Sequence, residues 1–239
     1  MKPPLVIVPA RTCSRRIPGK NFGPIGGGLS PVQRALTCGR ELLQTELPWL
    51  TTDRDAALLL SVFISSPSHY RRRPDYLGTD SASMVDVVLD VLERTDQDRI
   101  VLLQPTQPLR QLDDVRHALE LLDQFPSVAT VVETTPIQKC GYLTHGGFWY
   151  SVSGGPVERD QDSAPTYRCD GTAYAFRRDW FLMHRCFRSP ETFCSVIDPA
   201  HSAPLDTPTD WAIADLRLRA LESPPCPSTS FPPSSLVSR

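Results

Sequence analysis

Arg11, Arg15, Arg16 and Lys20 fall within ten residues, on a stretch that also carries Pro18 and Gly19. They are four of the seven basic side chains in the first 40 residues (Lys2, Arg34 and Arg40 are the others), and no acid precedes Glu41. Positive charge gathered on one short loop suits a polyanion such as a nucleoside triphosphate, because guanidinium and ammonium groups bind phosphate oxygens through charge-assisted hydrogen bonds. A solvated basic loop has the same composition. The stretch is not a Walker A loop, since G-x-x-x-x-G-K-[ST] is absent. Asp80-Ser81-Ala82-Ser83 precedes an apolar run and offers either ligand contacts or helix N-capping. Asp86, Asp90 and Glu93 have helical spacing and read as the wet face of that helix. Gln104 ends an apolar run, where a polar residue is unusual unless it lines a site. The five histidines form no cluster with metal-ligand spacing.

The elements that must position these residues alternate. Leu5 to Val8 reads as a fully buried strand, followed by the basic loop and then a helix from Pro31 to about Gln44, with Ser30 as N-cap and Pro31 at the first helical position. Ser81 to Glu93 reads as a helix and Arg99 to Gln104 as a buried strand. Asp113 to Gln124 reads as a helix, Val128 to Val132 and Thr172 to Phe176 as strands, and Thr209 to Glu222 as a closing amphipathic helix. This order predicts an α/β sheet, and ligands in such sheets bind at the carboxyl ends of strands, where the basic loop lies. Between 141 and 165 the pattern breaks around Phe148-Trp149-Tyr150. A hairpin leaving the main sheet, its aromatics meeting a partner subunit, and an ordinary local aromatic cluster both account for it. Residues 223–239 hold five prolines and six serines and are expected to be a disordered tail beyond a domain spanning 1–222.

With 239 residues and a net charge of −2, the chain has room for a real core and lacks the broad basic surface of a nucleic-acid binder. Arg71-Arg72-Arg73 is too local to change that. No apolar run approaches a membrane span, Ala56 to Ile64 being the longest. Seven cysteines, an odd number with no C-x-x-C pair, read as free thiols in a reducing compartment, so a cytoplasmic location is expected.

Five segments together resemble the acylneuraminate cytidylyltransferases, the CMP-sialic acid synthetases and their relatives for other nonulosonic acids. Residues 10–21 resemble A-R-x-x-S-[KR]-x-[IL]-P-x-K-N, and Arg73 through Ser83 resembles R-P-x-x-L-x-x-D-x-A-S. Leu102 to Arg110 is similar to L-L-Q-P-T-S-P-L-R, Tyr167 to Tyr174 to R-x-N-G-x-x-Y, and Leu205 to Trp211 to D-x-D-T-x-x-D-[LW]. The ketodeoxyoctulosonate cytidylyltransferases are a near alternative, which Lys20-Asn21 resembles less well. The resemblance implies a Rossmann-like nucleotidyltransferase fold: a mixed, mostly parallel sheet flanked by helices, with a small dimerisation excursion in a homodimer. It implies that CTP and a nonulosonic acid give CMP-sugar and pyrophosphate, with Mg²⁺ steadying the phosphates. Arg11, Ser14, Arg15, Lys20, Asn21, Asp80 and Ser83 would then hold the nucleotide, and Gln104 and Arg168 the sugar. Arg11, Lys20 and Asp206 would be catalytic, and Asp206 would bind the metal.

Three positions depart from the pattern. Pro204 stands where the resemblance calls for a first metal-binding aspartate, so Asp206 is left alone, and a non-catalytic CTP or sugar-nucleotide binding protein with a degenerate metal site is the rival reading. Pro48 suggests that the strand near 46–55 is shortened or edge-like. Asp170 replaces the usual asparagine before Gly171, a change that suits a turn equally well. Asp210 is expected to serve the start of the last helix.

Overall fold

A computed structural model describes residues 2–53, 70–143, 145–147, 149–152 and 164–222. The Pro/Ser-rich 223–239 segment and the apolar run at 56–64 lie outside the described residues. The strands are β1 (Leu5–Pro9), β2 (Trp49–Thr52), β3 (Tyr70–Arg72), β4 (Arg99–Leu102), β5 (Ser127–Thr134), β6 (Gly141–Leu143), β7 (Trp149–Ser151), β8 (Thr166–Arg177) and β9 (Phe193–Val196). The helices are α1 (Pro31–Leu43), α2 (Met84–Leu92), α3 (Leu112–Glu120), α4 (Arg178–His184) and α5 (Pro208–Glu222).

Seven strands form one sheet in the order β3-β2-β1-β4-β8-β5-β9. β8 runs antiparallel to β4 and β5, and the other pairings are parallel. Side chains alternate across a strand, so β1 feeds two cores. Val6 and Val8 join Val32, Ala35 and Leu36 of α1 and Val115 and Ala118 of α3. Leu5 and Ile7 join Val88, Val91 and Leu92 of α2 with Phe176, Trp180 and Phe181. Each fully buried aliphatic side chain contributes ~1.5–3 kcal/mol. Covering both faces of the sheet anchors the carboxyl ends of β1 and β4, from which the functional loops leave.

The start of α1 has the expected chemistry. Ser30 Oγ accepts from Gln33 N at 3.4 Å, and Gln33 Oε1 accepts from Ser30 N at 2.7 Å, with Pro31 next in line. Trp211, Ala214 and Leu218 of α5 pack with Ile25, Leu109 and Leu205 in a third, smaller cluster.

Several expectations are corrected. β2 begins just after Pro48 and is short, but it lies between β1 and β3 and is no edge. The edge on this side is β3, whose three residues are too few and too charged to read as a strand. Arg71 of β3 is held there by Asp90, which accepts from its Nε at 2.7 Å and from Nη2 at 2.6 Å. Asp90 is therefore buried, while Asp86 and Glu93 stay on the exposed face of α2. Asp170-Gly171 does not close a turn: it forms a bulge inside the twelve-residue β8, where pairing to β5 slips between Ala129 and Val131. The short elements α4 and β9 had no sequence signal of their own.

Tyr142 faces Tyr150 across the β6–β7 hairpin, their rings stacked at 4.8 Å, and the hairpin stands apart from the main sheet. Phe148 and residues 153–163 of the expected excursion lie outside the described residues.

Candidate active site

The loop after β1 is fixed at both ends. Asp53, just beyond β2, accepts from the Thr12 backbone N at 3.1 Å with each carboxylate oxygen and also takes the Thr12 hydroxyl. At the other end the buried Asn21 donates from Nδ2 to the Arg11 carbonyl at 2.9 Å, and its own carbonyl accepts from Val32 N at the start of α1 at 3.0 Å. The loop thus holds its cations in a defined arc.

Two adjoining clefts open there. One, of about 270 Å³, is lined by Arg11, Ser14, Arg15, Arg16, Lys20 and Asp80. The other, of about 250 Å³, shares Arg11, Lys20 and Asp80 and continues past Asn21, Arg73, Ala82 and Gln104. Four cations and a hydroxyl around the first cleft suit a polyphosphate. The second cleft, with a guanidinium, an amide and loop backbone, suits the rest of a nucleotide and a polar acceptor.

Electrostatics bind the arc together. Asp80 Oδ1 accepts from Arg11 Nη1 at 2.6 Å, and Arg15 Nε pairs with Asp80 Oδ2. Arg16 Nη2 meets Asp206 Oδ1 at 2.8 Å. Lys20 Nζ donates to the Leu205 carbonyl at 2.6 Å. Burial lowers the Lys20 pKa, Arg16 and Arg11 push the same way, and Asp206 and Asp210 oppose them. Arg73, 5% exposed, donates Nε to Thr51 Oγ1 at 3.3 Å and Nη2 to the Thr51 carbonyl at 3.1 Å. Burial brings its pKa down to about 10.

The structure brings together Arg11, Ser14, Arg15, Lys20, Asn21, Asp80 and Gln104, with Asp206 beside them through Arg16. It does not bring Ser83 or Arg168 to the walls of these clefts. Ser83 caps α2, its Oγ accepting from Val85 N at 3.1 Å. Arg168 lies on β8 opposite Val132 and donates to Ser202 Oγ at 3.3 Å. Arg73 and Asp53 join the site without a role assigned from the sequence, and Arg16, one of the four loop cations, pairs with Asp206. Arg73 opens the R-P-x-x-L match but stands in a run of three arginines, and sequence alone does not tell which of the three is buried. Asp210 does serve α5: its Oδ2 accepts from Thr207 N at 2.7 Å, while Thr207 Oγ1 accepts from Asp210 N at 3.2 Å.

A family profile described as cytidylyltransferase matches residues 5–145, from β1 to the hairpin. The chain belongs to the cytidylyltransferase family. This family member is 26% identical over 227 residues to the CMP-N,N'-diacetyllegionaminic acid synthase of Legionella pneumophila, with 88% of this chain and 94% of that one covered. It is 25% identical over 222 residues to the N-acylneuraminate cytidylyltransferase of Streptococcus agalactiae serotype III, with 87% of this chain covered, and spans about half (51%) of that longer protein. Among solved structures, CMP:2-keto-3-deoxy-manno-octonic acid synthetase complexed with CTP superposes with a TM-score of 0.65 at 19% identity, over 93% of this chain and 100% of that one. The 4-diphosphocytidyl-2C-methyl-D-erythritol synthase of Anaerococcus prevotii gives 0.62 at 11%, over 90% and 96%. These two bear on the fold, which is the nucleotidyltransferase type of mixed sheet flanked by helices.

Proposed function

We propose that this cytidylyltransferase transfers CMP from CTP to the anomeric hydroxyl of a sialic-acid-like nonulosonic acid, releasing pyrophosphate. The observation that carries the reading is the four-cation cleft of Arg11, Arg15, Arg16 and Lys20 opening into the cleft that holds Arg73 and Gln104. Its relatives are named for this chemistry on legionaminic and neuraminic acids.

Each group then has a task. Arg11, Arg15 and Lys20 hold the triphosphate and neutralise the charge that grows on the departing pyrophosphate, the term on which phosphoryl-type transfer depends most. Ser14 donates a hydroxyl hydrogen bond to a phosphate oxygen. Arg73 keeps N–H groups beyond those used on Thr51 and can donate to the carbonyl of a cytosine. Asp80 orders Arg11 and Arg15 before the nucleotide arrives, and its pairs must loosen as phosphate replaces carboxylate. Gln104 offers its amide to the acceptor. Arg168, on β8 outside the cleft walls, pairs with the carboxylate of the acceptor in this reading.

Magnesium belongs to this reading. Among the described residues no group of three or more metal-binding side chains converges, and Pro204 supplies no side-chain oxygen. Asp206 is half exposed, and one such carboxylate fits an ion held mostly by phosphate oxygens and water, with Arg16 giving up its place. Such an ion would neutralise phosphate charge. The Arg16–Asp206 pair and Pro204 also favour a second reading, a CTP binder without turnover. Restoring the carboxylate (Pro204→Asp) should raise metal-dependent turnover if the site is merely weakened.

The reading includes a homodimer built through the β6–β7 hairpin, where Tyr142, Leu143, Trp149 and Tyr150 are each more than half exposed. No described helix is long and apolar enough to cross a membrane. The reading places the enzyme in the cytoplasm, in keeping with six unpaired cysteines among the described residues. The test is pyrophosphate release from CTP and Mg²⁺ with a panel of nonulosonic acids and ketodeoxyoctulosonate. Release with a nonulosonic acid is expected, and folded protein that releases none across the panel overturns the proposal.

A further inference from the structure

Gln107 is 1% exposed and lies on the loop between Gln104 and Arg110. Its side-chain amide spends both ends on backbone groups of two distant segments. Nε2 donates to the Asp170 carbonyl at the β8 bulge, and Oε1 accepts from Ala203 N at 3.0 Å. A buried amide that is satisfied on both ends holds its partners rigidly, since moving either strands a polar group away from water.

Both partners lead to the site. On one side, the bulge backs Gln104: a Cβ on Gly171 would overlap Gln104 Oε1, and Arg110 bridges the carbonyls of Gln104 and Thr172 at 2.6 Å each. The Asp170 carboxylate stiffens the bulge by accepting from Thr130 Oγ1 at 2.7 Å and Thr172 N at 3.1 Å. On the other side, Ala203 opens the segment that ends in Asp206. Leu205 N donates to the Thr106 carbonyl at 3.0 Å, and the Leu205 carbonyl accepts from Lys20. Pro204, between these two anchored amides, has no N–H to satisfy, locks its own φ and keeps Ala203 extended. Pro204 is thus a stiffener of the strap that carries Asp206. The segment pattern that this chain resembles has serine at position 107, and a serine side chain is too short to span both segments.

We infer that Gln107 is a positioning residue that locks the acceptor-facing amide of Gln104 and the carboxylate of Asp206 into one arrangement. The inference rests on the function proposed above for those two groups. Gln107→Met keeps length and bulk but loses both hydrogen bonds, and Gln107→Ser is the second variant. The expected result is at least tenfold faster amide exchange at Ala203 and roughly tenfold lower kcat with the acceptor acid, with the Kd for CTP within twofold of the parent. A merely structural role would lower Tm and leave kcat and both KM values of the folded enzyme unchanged, and that result overturns the inference. Should the unaltered enzyme release no pyrophosphate with any acid, the proposed function fails, and amide exchange at Ala203 still decides the inference. If neither variant folds, exchange in the unaltered protein decides: protection of Ala203 comparable to that of β4 supports the lock, and free exchange at Ala203 overturns it.

Discussion

Gly171→Ala isolates the acceptor side of the site. Gly171 has φ +81° within the β8 bulge, and an added Cβ would overlap Gln104 Oε1 and lie 3.5 Å from Gln104 Cδ. Left-handed backbone costs an alanine ~1–2 kcal/mol. The Gln104 main chain cannot give way easily, because Arg110 Nη2 grips its carbonyl at 2.6 Å, so the side-chain amide must swing aside. An off-rotamer glutamine costs about 0.5–1.5 kcal/mol. Loss of its hydrogen bond to a charged acceptor costs about 1.5–3 kcal/mol, which is roughly ten- to hundredfold in kcat/KM. CTP affinity should hold, since Gly171 touches none of the cations. Gly147→Ala is the control: its φ is +78° and nothing lies within 4 Å of the added Cβ, so strain is present without displacement. Steady-state kinetics with each substrate varied, and calorimetry for CTP, make the comparison. Gly171→Ala with parent-like acceptor kinetics, or with CTP binding weakened as much as turnover, would refute the reasoning.

The loop cations make further predictions. Because burial lowers the Lys20 pKa in the free protein, its charge is penalised at pH below the folded pKa, and that penalty is relieved as pH rises through the folded pKa toward 10.5. A bound triphosphate raises the pKa again, so CTP binding at alkaline pH should take up a proton and weaken as pH rises; calorimetry in buffers of different ionisation enthalpy measures this, and Lys20→Met should abolish the uptake. Asp53→Asn turns one acceptor toward Thr12 into a donor, and should cost about 1–3 kcal/mol of loop order and weaken CTP binding roughly tenfold or more, with acceptor KM unchanged. Trp149→Ser combined with Tyr142→Ser should leave a folded monomer in sedimentation equilibrium, whereas a monomeric parent protein would remove the hairpin from any dimer.

The sequence exposed what is local. The β1 run, the Ser30-Pro31 helix start and the crowding of arginines at 11–16 each have a signature within a few residues, and each appears where expected. What it concealed depends on contacts distant along the chain. Asp90 reads as solvated until β3 brings Arg71 across from it. Ser83 and Asp80 belong to one motif, yet one caps a helix and the other meets two arginines. Asp170-Gly171 has turn chemistry, but Thr130 and Gln107 convert it into a bulge inside a long strand. Gln107 itself carries no sequence signal, because its partners lie 63 and 96 residues away.

The central claim is that the basic arc and the cleft behind it hold CTP. The direct measurement is calorimetric titration of CTP into the protein, with and without Mg²⁺, against ATP as control. The account predicts CTP-selective binding that Mg²⁺ strengthens and that Arg11→Ala or Arg73→Ala weakens. Equal affinity for CTP and ATP would contradict it.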